Sequence, residues 1–196
     1  MELSVIIPNR NSGKGKDFTR QTIEDVLKNA GCEVEVIVHI DEAWFSPLVE
    51  DERVHYIHPS SPIGLRQAIN NSVAMAKGKY IYKSDAHCSF GKGFDEILQA
   101  DMQDNWLVMP RFYVLNGKTW DWQTKPGAYE FGEFYDYFYL PCPFTDPRGF
   151  RFKAGGHWKE KTIEEAGKKV GYKQVDETPQ FHGSGWMVEK DFFLNK

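Results

Sequence analysis

Cysteine is scarce in this chain: three residues, Cys32, Cys88 and Cys142, among 196. They are far apart, odd in number and form no C-x-x-C pair. That pattern suggests neither a disulfide framework nor a cysteine zinc site, and it favours a reduced, cytoplasmic setting. Long apolar runs are missing as well. No stretch approaches the roughly 18–20 residues of a membrane span. The opening residues, Met1-Glu2 and then Leu3-Ser4-Val5-Ile6-Ile7, lack the basic segment and long apolar core of a signal peptide. No sign of charge dominates: the net charge is −4, so no broad cationic field invites nucleic acid. Repeats and low-complexity tracts are also absent. The composition, 41% hydrophobic and 27% charged, is that of an ordinary globular protein, and the length suits one domain with a substantial core.

Through about residue 105, short apolar runs alternate with helical patterns, the mark of a parallel sheet flanked by helices. Strands are expected at Leu3–Pro8, Val34–Ile40, Val54–Ile57, Tyr80–Tyr82 and Trp106–Met109. Helices are expected from an N-cap at Asp17 to Ala30, closed by Gly31, then over Leu65–Ala76 and Phe94–Met102. After Pro110 the aromatics, glycines and prolines of 111–160 follow no sustained period. That stretch reads as an irregular or antiparallel, substrate-facing part of the same domain. Thr162–Val170 reads as one more helix, and the residues from Phe181 as a strand entering a helix at Lys190. The expected organisation is a single domain in two halves, 1–105 and 106–196.

In open parallel sheets ligands bind outside the carboxyl ends of the strands. Three polar clusters fall at such ends: Pro8-Asn9-Arg10, Asp41-Glu42 and Ser84-Asp85-Ala86-His87. Asp85 and His87 are two residues apart in an extended segment, so both side chains can face one side. A carboxylate with an imidazole suits a divalent ion whose other positions stay open to phosphate oxygens and water. Alone, a D-x-H triplet is short and common, and a strand-end turn explains it equally well.

Its context carries more weight. The run from Gly64-Leu65 through Asn70 to Ala76-Lys77-Gly78-Lys79-Tyr80-Ile81 and Ser84-Asp85-Ala86-His87-Cys88 resembles the glycosyltransferase A (GT-A) fold. It is similar to the family 2 enzymes and, in Asp85-Ala86-His87-Cys88, to the polypeptide N-acetylgalactosaminyltransferases. Ser4-Val5-Ile6-Ile7-Pro8-Asn9-Arg10-Asn11 is similar to the family's first strand and nucleotide loop. The resemblance covers residues 3–100 and resumes at 179–193.

The resemblance implies an α/β, Rossmann-like fold of the nucleotide-diphospho-sugar transferase type. It implies transfer of a sugar, hexosyl or N-acetylhexosaminyl, from a nucleotide-sugar donor, UDP-linked by preference, to a hydroxyl of an unidentified acceptor (glycan, protein or other). The implied cofactor is a divalent metal, manganese with magnesium as the alternative. Pro8, Asn9 and Arg10 would border the uridine and ribose, and Asp41 would bond the base. Ser84 would join the donor-binding set, Asp85 would contact the ribose or metal, and His87 would ligate the metal. Gly183-Ser184-Gly185-Trp186 is similar to the glycine-rich segment beside the transferred sugar, which brings in Gly185 and Trp186. Gly64 opens the helix on the donor side. Where family 2 chains often carry an arginine this chain has Ile69, and Arg66, a turn earlier, is the substitute expected to reach the diphosphate.

The family's later acidic motif, or the retaining group's third metal ligand, lies beyond the glycine-rich segment, and this sequence stops at Lys196. A truncated or unusually compact version is therefore expected. His182 is the candidate third ligand, and His157 is a weaker candidate for a phosphate or acceptor contact. Gly13-Lys14-Gly15-Lys16 lacks the spacing of a phosphate-binding loop and reads as a solvated loop. Trp120, Trp122, Tyr135, Tyr137, Tyr139 and Trp158 could stack on sugar or base, although core packing explains most aromatic clusters. Glu130, Glu133 and Asp136 are acidic candidates for a base, and no spacing favours one of them. His39, His55 and His58 read as structural. Two alternatives stay open: a nucleotide-sugar or glycan-binding module without turnover, and a nucleotidyltransferase.

Overall fold

The computed structural model describes residues 1–10, 16–100, 102–110 and 183–195, together with short segments between 112 and 172. The chain divides into two compact units, Met1–Pro110 with Ser184–Lys196, and Arg111–Gly183.

The first unit begins with β1 (Leu3–Asn9), α1 (Thr19–Asn29), β2 (Val34–Ile40) and β3 (Val54–Ile57). It continues with α2 (Leu65–Met75), β4 (Tyr80–Ser84), α3 (Phe94–Ala100) and β5 (Leu107–Val108). The helix after β1 starts later than its sequence pattern suggests. Phe18, not Asp17, is the N-cap, while the Asp17 carboxylate accepts the Thr19 N–H at 2.7 Å. The helix ends because Ala30 turns extended. Gly31 does not cap it through a left-handed conformation; its N–H goes instead to the Asp95 carboxylate at 2.9 Å.

The second unit holds short antiparallel pairs. β6 (Phe112–Tyr113) pairs with β9 (Phe134–Tyr135), and β7 (Leu115–Asn116) with β8 (Asp121–Trp122). β10 (Tyr137–Tyr139) pairs with β11 (Lys153–Gly155), and β12 (Thr162–Glu165) with β13 (Lys168–Tyr172). The last pair corrects the helix expected over Thr162–Val170. Glu164/Lys168 and Glu165/Lys169 have the four-residue spacing that supports a helix. In the hairpin the same residues meet across strands instead, Glu164 opposite Lys169 and Glu165 opposite Lys168. The charge pattern fits both, and the β-branched Thr162, Ile163 and Val170 with Gly167 and Gly171 tip it to strand.

The chain then returns to the first unit through β14 (Gly185–Glu189) and α4 (Lys190–Leu194). The sheet has the order β3-β2-β1-β4-β14-β5. The first four strands are mutually parallel, and β14 runs antiparallel to both β4 and β5. Strand alternation sorts the core into two faces. Leu3, Val5, Ile7, Val34, Val36, Val38, Ile40 and Tyr82 pack with Ile23 and Val26 of α1 and Phe94 and Leu98 of α3. Ile6, Ile37, Ile81, Trp186 and Val188 pack with Val73 and Ala76, at the end of α2, and with Phe192 and Phe193 of α4. Among the described residues no helix is long and apolar enough to cross a membrane.

Candidate functional site

The chain winds from β1 outward to β2 and β3, then crosses back to place β4 on the other side of β1. The carboxyl ends of β1 and β4 thus flank the reversal of strand order, where such sheets form a crevice. Asn9, Asp41 and Ser84-Asp85 all lie at this end, on neighbouring strands, as the sequence pattern implied. The face of the sheet under α2 carries a polar series here. By alternation Glu35, Ile37, His39 and Asp41 share one phase along β2, and Ile81, Lys83 and Asp85 share one along β4.

Hydrogen bonds fix each of these groups. The Asp41 N–H bonds the Asn9 carbonyl at 2.8 Å, tying the ends of β1 and β2. The buried Asp41 carboxylate accepts the N–H groups of Ile63 at 2.6 Å and Gly64 at 2.8 Å. It therefore anchors the start of α2, which has no side-chain cap of its own. Gly64 has φ +80, a left-handed value suited to glycine, and a Cβ there would meet nothing. Arg66 is exposed in the first turn of α2. The buried Asn9 amide donates to Thr19 Oγ1 at 2.8 Å, holding the far end of the loop that follows β1. Pro8, half-buried, is in register with His39. Exposed Arg10 pairs with Glu42 through Nε at 2.7 Å, and this hydrogen bond raises the guanidinium's already high pKa.

The glycine-rich segment comes alongside the D-x-H triplet because β14 is antiparallel to β4. Its amino end therefore lies at the carboxyl end of β4. Gly185 sits opposite Ser84, Trp186 opposite Lys83, and the Asp85 N–H bonds the Ser184 carbonyl at 3.0 Å. The Ser84 hydroxyl donates to the Asp85 carbonyl at 2.9 Å. Beyond the triplet, the Cys88 N–H reaches Thr22 Oγ1 at 3.1 Å, pinning the turn to α1. His87 is exposed on that turn, and the Asp85 side chain is 30% exposed. Trp186 is buried and stacks on Phe193 with centroids 5.9 Å apart, so its ring belongs to the core beneath the site.

Among the described residues no group of three or more His, Cys, Asp or Glu gathers as a metal cage. His182, His157, Trp158, Glu130, Glu133 and Asp136, like Gly13, Lys14, Gly15 and Cys142, lie outside the described residues. So do the side chains of Trp122, Tyr135, Tyr137 and Tyr139.

One nearby group escaped the sequence reading, and a second, His39, was read there only as structural. Lys83 is 2% exposed and ion-pairs with Asp85. A lysine directly after the apolar run Tyr80-Ile81-Tyr82, two residues before the aspartate, was the available signal. His39 is fully buried, with no hydrogen-bond partner at either ring nitrogen among the described residues. Burial lowers its pKa against the opposing pull of Asp41, which favours the neutral imidazole. Of the other histidines, His55 faces the Glu35 carboxylate at 3.4 Å and His58 meets the Glu42 carbonyl at 2.8 Å.

A mostly parallel sheet whose strand order reverses at β1 and β4, with Asp41 and Asp85 at the carboxyl ends and a returning antiparallel strand beside β4, is the architecture of the GT-A fold. GalNAc-T7, solved with UDP, GalNAc and Mn2+, superposes with TM-score 0.70 at 21% identity. That match covers 98% of this chain and 36% of GalNAc-T7. The chain belongs to glycosyl transferase family 2, whose sequence profile matches residues 4–158. A curated relative, glycosyltransferase GlyG of Streptococcus pneumoniae serotype 4 (strain ATCC BAA-334 / TIGR4), is 28% identical over 109 residues, covering 52% of this chain and 35% of GlyG. S. aureus TarS overlaps 51% of this chain and 19% of its own length, with TM-score 0.43 and 22% identity. The chain spans about a third of the length of GlyG and of GalNAc-T7.

Proposed function

We propose that this chain forms the donor-binding part of a metal-dependent glycosyltransferase that moves a hexosyl or N-acetylhexosaminyl group from a UDP-sugar to a hydroxyl acceptor. The observation that carries the reading is the hydrogen bond from Asp85 to Ser184, which brings the D-x-H turn and the glycine-rich strand to one end of β4. Family membership and the UDP- and Mn2+-bound GalNAc-T7 neighbour support it. The scarce cysteines favour a cytoplasmic setting.

The donor set fits an open divalent site. Asp85 offers a partly exposed carboxylate and His87 an exposed imidazole, both on a turn anchored to α1. Asp85 and His87 would hold manganese or magnesium, with His182 as the third protein ligand. When bound, the ion would offset negative charge on the departing diphosphate. Asp41, Gly64 and the residues from Pro8 to Arg10, at the end of β1, would border the nucleoside side of the crevice. Gly185 lets backbone approach the donor, and Arg66 at the start of α2 is a further cation for phosphate.

Calorimetry with UDP and Mn2+ tests the reading. Wild type should bind UDP more tightly with the metal than in chelator. Asp85→Ala and the exposed-site variant His87→Ala should each lose about tenfold or more of the metal-dependent part, consistent with the loss of one ligand. UDP binding unaffected by chelator and by both substitutions would overturn the metal assignment.

A further inference from the structure

Lys83 presents a problem that a structural role does not solve. Its side chain shares a sheet face with Ile81 and is flanked in register by Ile6 on β1 and Trp186 on β14, all three members of the apolar core under α2. A charge led through such a collar is costly unless it is paired where it emerges. Lys83 is paired: its ammonium contacts the Asp85 carboxylate at the end of β4. The whole side chain is buried, 3% exposed, and its head meets the carboxylate of Asp85, which is 30% exposed at the end of β4, so the charge is held at a defined point. If packing were the only need, an apolar residue at 83 would serve it at lower desolvation cost. The chain instead keeps a cation fixed on the aspartate that the functional reading gives to the metal.

We infer that Lys83 is a built-in diphosphate-binding cation that shares Asp85 with the metal. With the carboxylate engaged by a metal, the ammonium would turn to the phosphates; without metal it would meet a nucleoside diphosphate while still paired to Asp85. The site therefore binds UDP weakly in chelator, and free Mn2+ binds less tightly than the same ligands would allow without the lysine. This rests on the donor-site reading above.

Calorimetry of UDP in EDTA and in Mn2+, on wild type, Lys83→Met and Lys83→Arg, tests it, with Mn2+ affinity of the nucleotide-free proteins read by electron paramagnetic resonance. In EDTA, Lys83→Met should lose about tenfold in UDP affinity, the expected loss of one charge-assisted contact. Lys83→Arg should keep most of that affinity, and binding of uridine, which has no phosphate, should be the same in all three. Free Mn2+ should bind Lys83→Met more tightly than wild type. Equal UDP affinity of wild type and Lys83→Met in EDTA would overturn the inference, as would equal losses in the Met and Arg variants, which mark a packing role. Wild type that binds UDP only with Mn2+ overturns the inference and leaves the functional reading standing. Wild type that binds UDP under neither condition overturns both.

Discussion

At the scale of single residues, the carboxylates that shape this protein work mainly on backbone. Asp41 holds the amides of Ile63 and Gly64 and so fixes where α2 begins. Asp41→Ala leaves those amides to whatever water can reach them. It should cost about 2 kcal/mol in urea denaturation, the scale of hydrogen bonds to a charged acceptor; an unchanged midpoint would show that α2 is placed by packing alone. Asp95 acts likewise at the other end of the sheet, accepting from the Gly31 and Cys32 amides while fully buried. Burial opposes its charge, but hydrogen bonds from the Cys32 thiol and these amides outweigh that and hold the carboxyl below its ordinary value of 3.8. A folded-state pKa below the unfolded one gives stability that is complete above the unfolded value and disappears as pH falls through the folded one. Wild type should therefore exceed Asp95→Asn in stability at pH 7, and the gap should narrow as the pH falls below the carboxylate range. A gap that stays constant down to acid pH would contradict this. Neither role was legible in the sequence, because a carboxylate's partner here lies more than twenty or sixty residues away.

At the scale of elements, the alternation of apolar runs with helical patterns was readable wherever one face of an element packs on the sheet. β2 and β3 fall where their apolar runs predict, and β4 extends past Tyr82 to Ser84 because Lys83 and Ser84 are buried despite their polarity. Thr162–Val170 misled because its charge spacing serves a helix and a hairpin equally. The turn between α2 and β4 shows how tightly an element can be seated. Ser4 donates to buried Glu35 at 2.6 Å, the Lys77 N–H joins the same carboxylate at 2.6 Å, and the Gly78 N–H reaches Ser4 Oγ at 2.8 Å. A Cβ on Gly78 would lie 2.5 Å from the Ser4 nitrogen and 2.6 Å from the Leu3 carbonyl carbon. These are backbone atoms of β1 and cannot swing aside. Gly78→Ala should destabilise by about 3 kcal/mol, the upper range for overpacking, read as a lowered denaturation midpoint. A neutral result would mean that β4 slides against β1 more freely than the packing allows.

For the whole molecule, the unit that carries the site is built from two pieces of chain separated by residues 111–183. Nothing local in Gly185-Trp186-Met187-Val188-Glu189 announces that this strand inserts between β4 and β5; its partners are about a hundred and about eighty residues upstream. The glycine-rich segment was noticed by resemblance, but its antiparallel setting beside Asp85 follows only from the sheet. That insertion makes the end of the chain part of the core. Trp186, Met187 and Val188 are all buried, Met187 completely. Burying three such side chains is worth on the order of 5–8 kcal/mol, about the whole net stability of an ordinary domain. A chain ending at Gly183 also exposes the edge of β4, whose unpaired amides and carbonyls invite association. Such a truncation should lose cooperative thermal unfolding and UDP binding together and should aggregate on concentration. If instead the chain ending at residue 183 unfolds cooperatively near the wild-type midpoint, the returning strand is an accessory to the donor half. The antiparallel crossing of β4 would then no longer be what gives the D-x-H turn its place.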